Sequence, residues 1–214
     1  MNSTIIDISW PLTATTTCYK DRPCIQIDPA KTFEVDQVRE SKIIFGSHVG
    51  THIDAPSHFL EDGASINQVS LSTFVGLCTV LDMTKNREKI TSADLQGCQI
   101  GNGDILLFKT QNSTHAPTDQ FDYNFVYLDQ SAADYLVSKK IKAVGIDYIG
   151  IERNQPHHAT HRAFMQAQIG ILEGLRLAHV APGSYTLIAL PLSLPGIDAA
   201  PARAILMEYS NPII

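Results

Sequence analysis

Three histidines and one aspartate lie close together in the segment HVGTHIDAPSHF, at His48, His52, Asp54 and His58. Neutral imidazole and carboxylate groups are ligands of zinc, manganese and iron. A helix is disfavoured here, because the intervening residues include β-branched side chains, a glycine and a proline. In an extended chain, side chains two positions apart lie on one face, so all four groups would face the same way.

A flat strand cannot bring these ligands to one ion. At ~3.3 Å per residue, His48 and His52 would be ~13 Å apart, whereas each ligand atom must lie ~2.1 Å from the metal. We therefore predict a bend at Gly50, because glycine adopts backbone conformations that other residues avoid. Pro56 would then direct His58 back toward the ligands. The alternative is a surface strand with scattered histidines, which three histidines and an aspartate in eleven residues disfavour.

The composition bounds the class of protein. The 214 residues are 44% hydrophobic and 18% charged, and we expect a single globular domain over residues 1–214. The formal net charge of −6, without a basic run, argues against nucleic acid or an anionic membrane as a partner. No apolar stretch reaches the ~18 residues of a membrane span. The N-terminus lacks the features of a signal peptide, so we expect a cytoplasmic protein.

Short apolar or β-branched runs between turn residues predict seven strands. They are Ile43–Phe45, Thr79–Asp82, Asp104–Lys109, Phe125–Leu128, Ile141–Ile146, Thr186–Leu190 and Ile205–Tyr209. Two helices are predicted, one that follows Asp129 as its N-cap and one over Ala159–Gln168. This pattern indicates an α/β or α+β fold with more strand than helix. The four cysteines form no CxxC pair and are expected to be free buried thiols, with a disulfide as the alternative.

The histidine-rich segment resembles the HxGTHxDxPxHF signature of the cyclase-like metal-dependent hydrolases, which include bacterial kynurenine formamidases and isatin hydrolases. Every fixed position of that signature is matched. Further similarities extend over nearly the whole chain, in DISWPL, GIDYIGIE, HRAFMQAQIGILEGL and LIALPLSLPGIDAAPARAIL. The resemblance implies the family's swivelling β/β/α-type α/β fold, a strand-rich mixed sheet with a few helices. It also implies a homo-oligomer, either a dimer or a tetramer.

Site residues follow from the same resemblance. It implies that His48, His52 and Asp54 bind metal, and that His58 lies beside the metal as the general base. The implied cofactor is a divalent metal, most simply two zinc ions, with manganese as the alternative because these ligands suit both.

The resemblance also implies a later histidine followed twelve residues on by a glutamate. His161 and Glu173 have that spacing, whereas His157 and His158 do not. A glutamate in an apolar stretch such as IGILEGLRL needs a partner, and a cation is a suitable one.

Three further expectations concern the surroundings of the site. Asp147, at the end of a predicted strand, and Thr51 are candidates for supporting the ligands. Asp198 and Arg203 match a GxDxxPxRA stretch of the family. We expect these two residues to form a buried ion pair.

The implied reaction is hydrolysis of a small aryl amide, N-formyl-L-kynurenine, to L-kynurenine and formate, a step of tryptophan catabolism. A metal that lowers the pKa of bound water from ~15.7 towards ~7 supplies hydroxide at neutral pH, and His58 would transfer the proton. Gly150, Glu152 and residues 13–23 depart from the formamidase pattern. A cyclic amide such as isatin, a lactone or an ester is therefore an alternative substrate. A non-catalytic metal-binding or ligand-sensing protein is the second alternative.

Overall fold

The computed structural model describes residues 4–208. Its strands are β1 Ile5–Asp7, β2 Ile25–Lys31, β3 Glu40–Phe45, β4 His52–Asp54, β5 Val75–Asp82, β6 Lys89–Ile90, β7 Ile105–Lys109, β8 Tyr127–Leu128, β9 Ala143–Ile146, β10 Gly170–Glu173, β11 Gly183–Pro191 and β12 Ala199–Met207. Its α-helices are α1 Phe33–Asp36, α2 Ser92–Leu95, α3 Gln130–Ser138 and α4 Ala159–Gln166. The prediction of a strand-rich α/β fold with few helices is confirmed. None of the helices in this range is long and apolar enough to cross a membrane.

Eight strands form one sheet in the order β1-β12-β11-β5-β7-β9-β10-β4. Strand β4 also pairs with β12, so the sheet closes into a barrel-like ring. The neighbours β5–β7, β7–β9 and β9–β10 are parallel, and the other pairs of this sheet are antiparallel. The closure places β4 between β10 and β12.

Side chains fill the interior of the ring, and helices cover part of its outside. Along β7, Ile105 and Leu107 belong to the interior cluster, whereas Leu106 and Phe108 belong to the cluster beneath the helices. A strand that is buried on both faces has a continuous apolar sequence, as is typical of parallel sheets. The run ILLF was recognisable as a strand for this reason.

Each of the seven predicted strands overlaps an observed one, although Tyr209, the last residue of one prediction, lies outside the described residues. Both predicted helices are present. The side chain of Asp129 caps α3 by accepting a hydrogen bond from the N–H of Ala132 at 3.1 Å. Helix α4 ends two residues early, at Gln166, and Gln168 has a left-handed φ of +58°. Strands β1, β2, β6 and β10 were not predicted.

Strands β2 and β3 form a hairpin, here called the arm (residues 25–45), which pairs with no other strand of the described chain. No side chain of the arm is buried.

A disulfide joins Cys18 and Cys24 just before β2, so the prediction of free thiols is wrong for this pair. The turn at Lys20, which has a left-handed φ of +54°, folds the chain back and brings the two Cα atoms to 5.9 Å, within disulfide range. Cys78 and Cys98 are free.

Candidate metal centre

Strand β4 carries two of the predicted ligands on the outer side of the ring. Ile53 faces the interior and is fully buried in the core, so His52 and Asp54 point outward. Strand β10 runs antiparallel to β4, with Glu173 opposite His52 and Ile171 opposite Asp54. Directly opposed residues of an antiparallel pair share a face. Glu173 therefore projects from the same outer face as the β4 ligands.

The chain bends at Gly50, as predicted. Gly50 has a φ of +53°, and the ring centroids of His48 and His52 lie 5.1 Å apart. Gly174, with a φ of +71°, lies against this bend. A Cβ atom on Gly174 would lie 2.1 Å from the carbonyl oxygen of Gly50. Gly50 is therefore required for the turn. Gly174 is required both for its own positive φ and for its close approach to the carbonyl of Gly50.

Thr51 and Asp147, the two residues predicted to support the ligands, have different surroundings. Thr51 Oγ1 donates a hydrogen bond to the carbonyl of Gly174 at 2.5 Å and so joins β4 to the residue after Glu173. Asp147 is buried and accepts hydrogen bonds from Thr110 and Ser113. These bonds hold a neighbouring loop. A supporting role of Thr51 or of Asp147 in the site stays a prediction.

Four side chains converge where β4, β10 and α4 meet: His52, Asp54, His161 and Glu173. Nε2 of His52 lies 3.3 Å from Oε2 of Glu173 and 3.5 Å from Oδ1 of Asp54. Nε2 of His161 lies 3.3 Å from Oε1 of Glu173 and 3.7 Å from Oδ2 of Asp54. All four side chains are buried. Imidazole and carboxylate groups at these separations are of the kind that hold zinc or manganese.

The unpaired atoms of this group fit a metal ion. Nε2 of His52 and both carboxylate oxygens of Asp54 are buried without a hydrogen-bond partner among residues 4–208. Nδ1 of His52 donates to the carbonyl of Gly50 at 2.9 Å, which leaves the lone pair on Nε2. A buried polar atom without a partner costs ~1–3 kcal/mol. A divalent cation would satisfy all three atoms.

A second group adjoins the first and shares Asp54 with it. Nδ1 of His48 lies 2.9 Å from Oδ1 of Asp54. Pro56 begins a 3-10 turn that ends at His58, and the His58 ring centroid lies 4.0 Å from that of His48. His48, Asp54 and His58 offer ligand atoms that all lie within 4.8 Å of one another, as do His52, Asp54 and Glu173. The structure thus brings all six predicted residues into one cluster.

Charges within the cluster shift the pKa values of its histidines. Burial lowers the pKa of His161, but the neighbouring carboxylates outweigh burial and raise it to about 10. Burial also lowers the pKa of His48, but the nearby carboxylates of Asp54 and Asp198 outweigh burial and raise the pKa to about 9. For His58, burial and the two charged imidazoles outweigh the pull of Asp54, so its pKa is lowered. In the metal-free protein this shift favours the neutral form of His58, which is able to accept a proton.

Asp198 is a site residue that the sequence did not reveal. Its Oδ2 lies 2.9 Å from Nε2 of His48 and 3.5 Å from Nδ1 of His58. The predicted buried pair of Asp198 and Arg203 is wrong, because Arg203 is exposed and binds Asp7 instead. Residues five positions apart along an extended chain point to opposite faces, so their odd spacing was a signal against the pair.

Glu152 supports the helix that carries His161. Its Oε2 accepts a hydrogen bond from the backbone N–H of His161 at 3.0 Å and lies 3.3 Å from Nδ1 of the same residue. Its Oε1 lies 3.1 Å from Nδ1 of the exposed His158. A carboxylate at a helix N-terminus is favourable, because it meets the free N–H groups there. Glu152 thus provides a carboxylate at the start of α4.

The ring of strands and the cluster on its outer face define a metal-dependent hydrolase. Residues 6–153 match the Cyclase family, described as "Putative cyclase". The kynurenine formamidase of Sphingopyxis alaskensis is 32% identical over 210 residues, which cover 97% of this chain and 100% of the relative. The chain belongs to the Cyclase family. It is an enzyme, a metal-dependent amidohydrolase that acts on carbon–nitrogen bonds other than peptide bonds.

Solved structures show the same fold over nearly the whole chain. A "predicted metal-dependent hydrolase from Bacillus stearothermophilus" is 39% identical, with a TM-score of 0.88, and the match covers 98% of this chain and 100% of that one. Isatin hydrolase A from Labrenzia aggregata is 21% identical, with a TM-score of 0.84, over 96% of this chain and 93% of that one. The fold expected from the resemblance is therefore confirmed.

Proposed function

We propose that the enzyme hydrolyses an aryl amide, and that this amide is N-formyl-L-kynurenine, which yields L-kynurenine and formate. The observation that carries the proposal is the position of His58, whose ring lies 4.0 Å from that of His48 and whose side chain is partly open to solvent. A neutral base beside a divalent metal suits the attack of water on an amide. The full-length similarity to the kynurenine formamidase of Sphingopyxis alaskensis supports a formyl amide as substrate.

The proposed cofactor is a pair of zinc ions, with manganese as the alternative. The residues that would hold them are His48, His52, Asp54, His161 and Glu173. Oδ1 of Asp54 lies near His48 and His52, whereas Oδ2 lies near His161, and this arrangement supports two ions rather than one. When bound, the metal lowers the pKa of a water molecule towards ~7 and polarises the substrate carbonyl.

In the proposed reaction, His58 moves the protons. Its side chain is 29% exposed, so a substrate amide can approach it from solvent. His58 takes one proton from the attacking water and delivers it to the leaving nitrogen as the carbon–nitrogen bond breaks. The water oxygen ends in formate, and the nitrogen leaves as the amine of kynurenine. The chain therefore needs no serine or cysteine nucleophile.

An aromatic ring lies beside the proposed base. The ring centroid of Phe59 is 4.1 Å from that of His58 and 4.6 Å from those of His158 and His161. Aromatic pairs are favourable at centroid separations of ~4.5–7 Å. The aryl group of the substrate would pack against the Phe59 ring beside His58. This contact supports an aryl rather than an alkyl amide.

Turnover of N-formyl-L-kynurenine by the zinc-loaded protein tests the proposal. Kynurenine absorbance and released formate are measured together, with chelator-treated protein as the control. We expect hydrolysis that stops when the metal is removed and returns when zinc is added. An inert formyl amide would reject the substrate, and activity that survives complete metal removal would reject the metal.

A cyclic amide such as isatin, a lactone or an ester is the second candidate substrate. The loop over residues 13–23 departs from the formamidases, and the Cys18–Cys24 disulfide closes its end. Ring opening of isatin, measured beside the formyl amide with the same preparation, separates the candidates. Fast ring opening with an inert formyl amide would favour the second.

We also propose that the enzyme is a homo-oligomer in which the arm contacts a second copy. A two-stranded hairpin alone is marginally stable in water. Ile27 and Ile43 pair across the hairpin and share one face, and they are 41% and 55% exposed. A dimer would cover this face, and a tetramer is the alternative.

A single domain over residues 1–214 is supported by the pairing of β1 with β12 at opposite ends of the chain. A cytoplasmic location stays our prediction.

A further inference from the structure

One carboxylate contacts both imidazoles at the solvent side of the cluster. Oδ2 of Asp198 accepts a hydrogen bond from Nε2 of His48 at 2.9 Å and lies 3.5 Å from Nδ1 of His58. Its Oδ1 accepts a hydrogen bond from Oγ of Ser47 at 3.2 Å. We propose that Asp198 is a positioning residue that fixes the ring of the ligand His48 and the ring of the base His58. This inference deepens the proposed function and rests on it.

The backbone around Asp198 is fixed by the strand that carries Asp54. The carbonyl of Asp198 accepts a hydrogen bond from the N–H of Ala55 at 2.9 Å. The next residue, Ala199, pairs with Asp54 in the register of β12 and β4. The side chain of Asp198 is 43% exposed. The pairing of β12 with β4 therefore fixes the position of the Asp198 carboxylate relative to Asp54. The carboxylate lies on the solvent side of His48 and His58.

Asp198 determines which nitrogen of His48 can bind metal. A neutral imidazole has one N–H and one lone pair. Nδ1 of His48 faces Oδ1 of Asp54 inside the cluster, at 2.9 Å, whereas Nε2 faces Asp198. A carboxylate that accepts the Nε2–H leaves the lone pair on Nδ1, the atom that points into the cluster. Loss of such an outer partner typically costs ~10–100-fold in metal affinity or activity.

The same carboxylate orients the base. The rings of His48 and His58 are inclined by 39° with centroids 4.0 Å apart, so one carboxylate reaches a nitrogen of each. A negative charge 3.5 Å from Nδ1 of His58 favours the tautomer with its N–H there. The lone pair is then on Nε2, the remaining nitrogen. A base held by a third group in this way recurs in enzymes that move protons.

Metal retention provides the first test, and it needs no substrate. Asp198→Asn keeps the size of the side chain and removes its charge. We expect the zinc-loaded variant to release metal to a chromogenic chelator ~10–100-fold faster than wild type, with full metal content at saturating zinc. Asp134→Asn, the same change at an exposed position of α3, is the matched control and should release metal at the wild-type rate. A wrong substrate assignment would leave this readout intact.

Turnover in two backgrounds provides the second test. We expect Asp198→Asn to lower kcat by ~10-fold or more with little change in KM, because positioning of the base acts on the chemical step. In the His58→Ala background, the same change should lower kcat by less than ~2-fold, because coupled residues are not additive. Asp198→Glu, which restores the charge, should recover part of kcat.

Each other outcome overturns the proposal. Unchanged metal release and unchanged kcat would show that Asp198 positions neither ring. Loss of a whole ion per chain at saturating zinc would make Asp198 a ligand. A lower thermal midpoint with wild-type metal release and kcat would make its role structural. If Asp198→Asn lowers kcat as much in the His58→Ala background as in wild type, Asp198 does not act through His58.

Discussion

Glu173 on β10 lies directly opposite His52 on β4, and its Oε2 is 3.3 Å from Nε2 of the histidine. Its other oxygen is 3.3 Å from Nε2 of His161 on α4. One carboxylate thus connects a histidine on a strand to a histidine on a helix. Burial raises the pKa of Glu173, but the two histidines outweigh burial and hold it well below its usual range, so the group is charged at neutral pH.

Glu173→Gln removes this charge with little change of shape. We expect the variant to lose bound metal on dialysis and to lose more than ~100-fold in kcat/KM, because loss of even an outer partner costs ~10–100-fold. Metal analysis and turnover check this. Glu61→Gln, at an exposed position, is the control and should keep both. Wild-type metal content in Glu173→Gln would show that Glu173 is not a ligand.

The local part of the site could be predicted from the sequence. Residues 48–58 carry the predicted ligands, the bend at Gly50 and the turn at Pro56 within one short segment, so residue types and spacing were enough to predict that these side chains converge. The two helices also have local signals, such as the cap at Asp129. The apolar runs of β7 and β9 were visible because both faces of these strands are buried.

The non-local part could not be predicted in the same way. The register that sets Glu173 opposite His52 depends on the closure of the ring, which no single segment encodes. Strand β10 has four residues and only three residues separate it from the end of α4, so its sequence carries no separate signal. Asp198 meets His48 across 150 positions. The Cys18–Cys24 disulfide depends on the left-handed turn between them, and residue spacing does not reveal that turn.

Gly174→Ala tests the close approach of β10 to the bend. Gly174 has a φ of +71°, and a Cβ there would lie 2.1 Å from the Gly50 carbonyl oxygen. We expect the free energy of unfolding to fall by ~2–5 kcal/mol, the sum of a left-handed alanine and a displaced backbone. Urea unfolding of the metal-free protein measures it.

Gly103→Ala is the matched control for that change. Gly103 has a φ of +81°, but nothing lies within 4 Å of its Cβ position. We therefore expect only the backbone cost, ~1–2 kcal/mol. Equal losses in Gly174→Ala and Gly103→Ala would show that the contact with Gly50 carries no cost.

His58→Ala separates chemistry from coordination. We expect kcat to fall ~100–10,000-fold, the range for loss of a positioned acid or base, with metal content and KM near wild type. Turnover and metal analysis of one preparation measure both. His179→Ala, at an exposed position, is the control and should be unaffected. Loss of metal from His58→Ala would make His58 a ligand.

The metal-free protein should lose stability as the pH rises. Burial lowers the pKa of His48 and of His161, but carboxylates raise them from 6.5 to about 9 and about 10. The folded protein thus binds these protons more tightly than the unfolded chain. Their contribution is fully present below the unfolded pKa of 6.5 and is lost as the pH rises through about 9 and about 10.

Thermal unfolding of the metal-free and zinc-loaded forms checks this sign. Between about pH 7 and about pH 10, the midpoint of the metal-free form should fall. The zinc-loaded form should lack this fall, because histidines bind metal in the neutral form and release their protons on binding. A metal-free midpoint that rises over this range would contradict the assigned pKa shifts.

Ile43→Lys tests the arm as the contact between copies. Ile43 is 55% exposed and shares the apolar face of the arm with Ile27. A lysine there would have to be desolvated in any interface, so we expect association to weaken by at least ~10-fold while the fold is retained. Sedimentation velocity over a range of concentrations measures it. Leu71→Lys, at a position 57% exposed and outside the arm, is the control and should keep the wild-type mass. A monomeric wild type would reject the homo-oligomer, and unchanged association in Ile43→Lys would place the interface elsewhere.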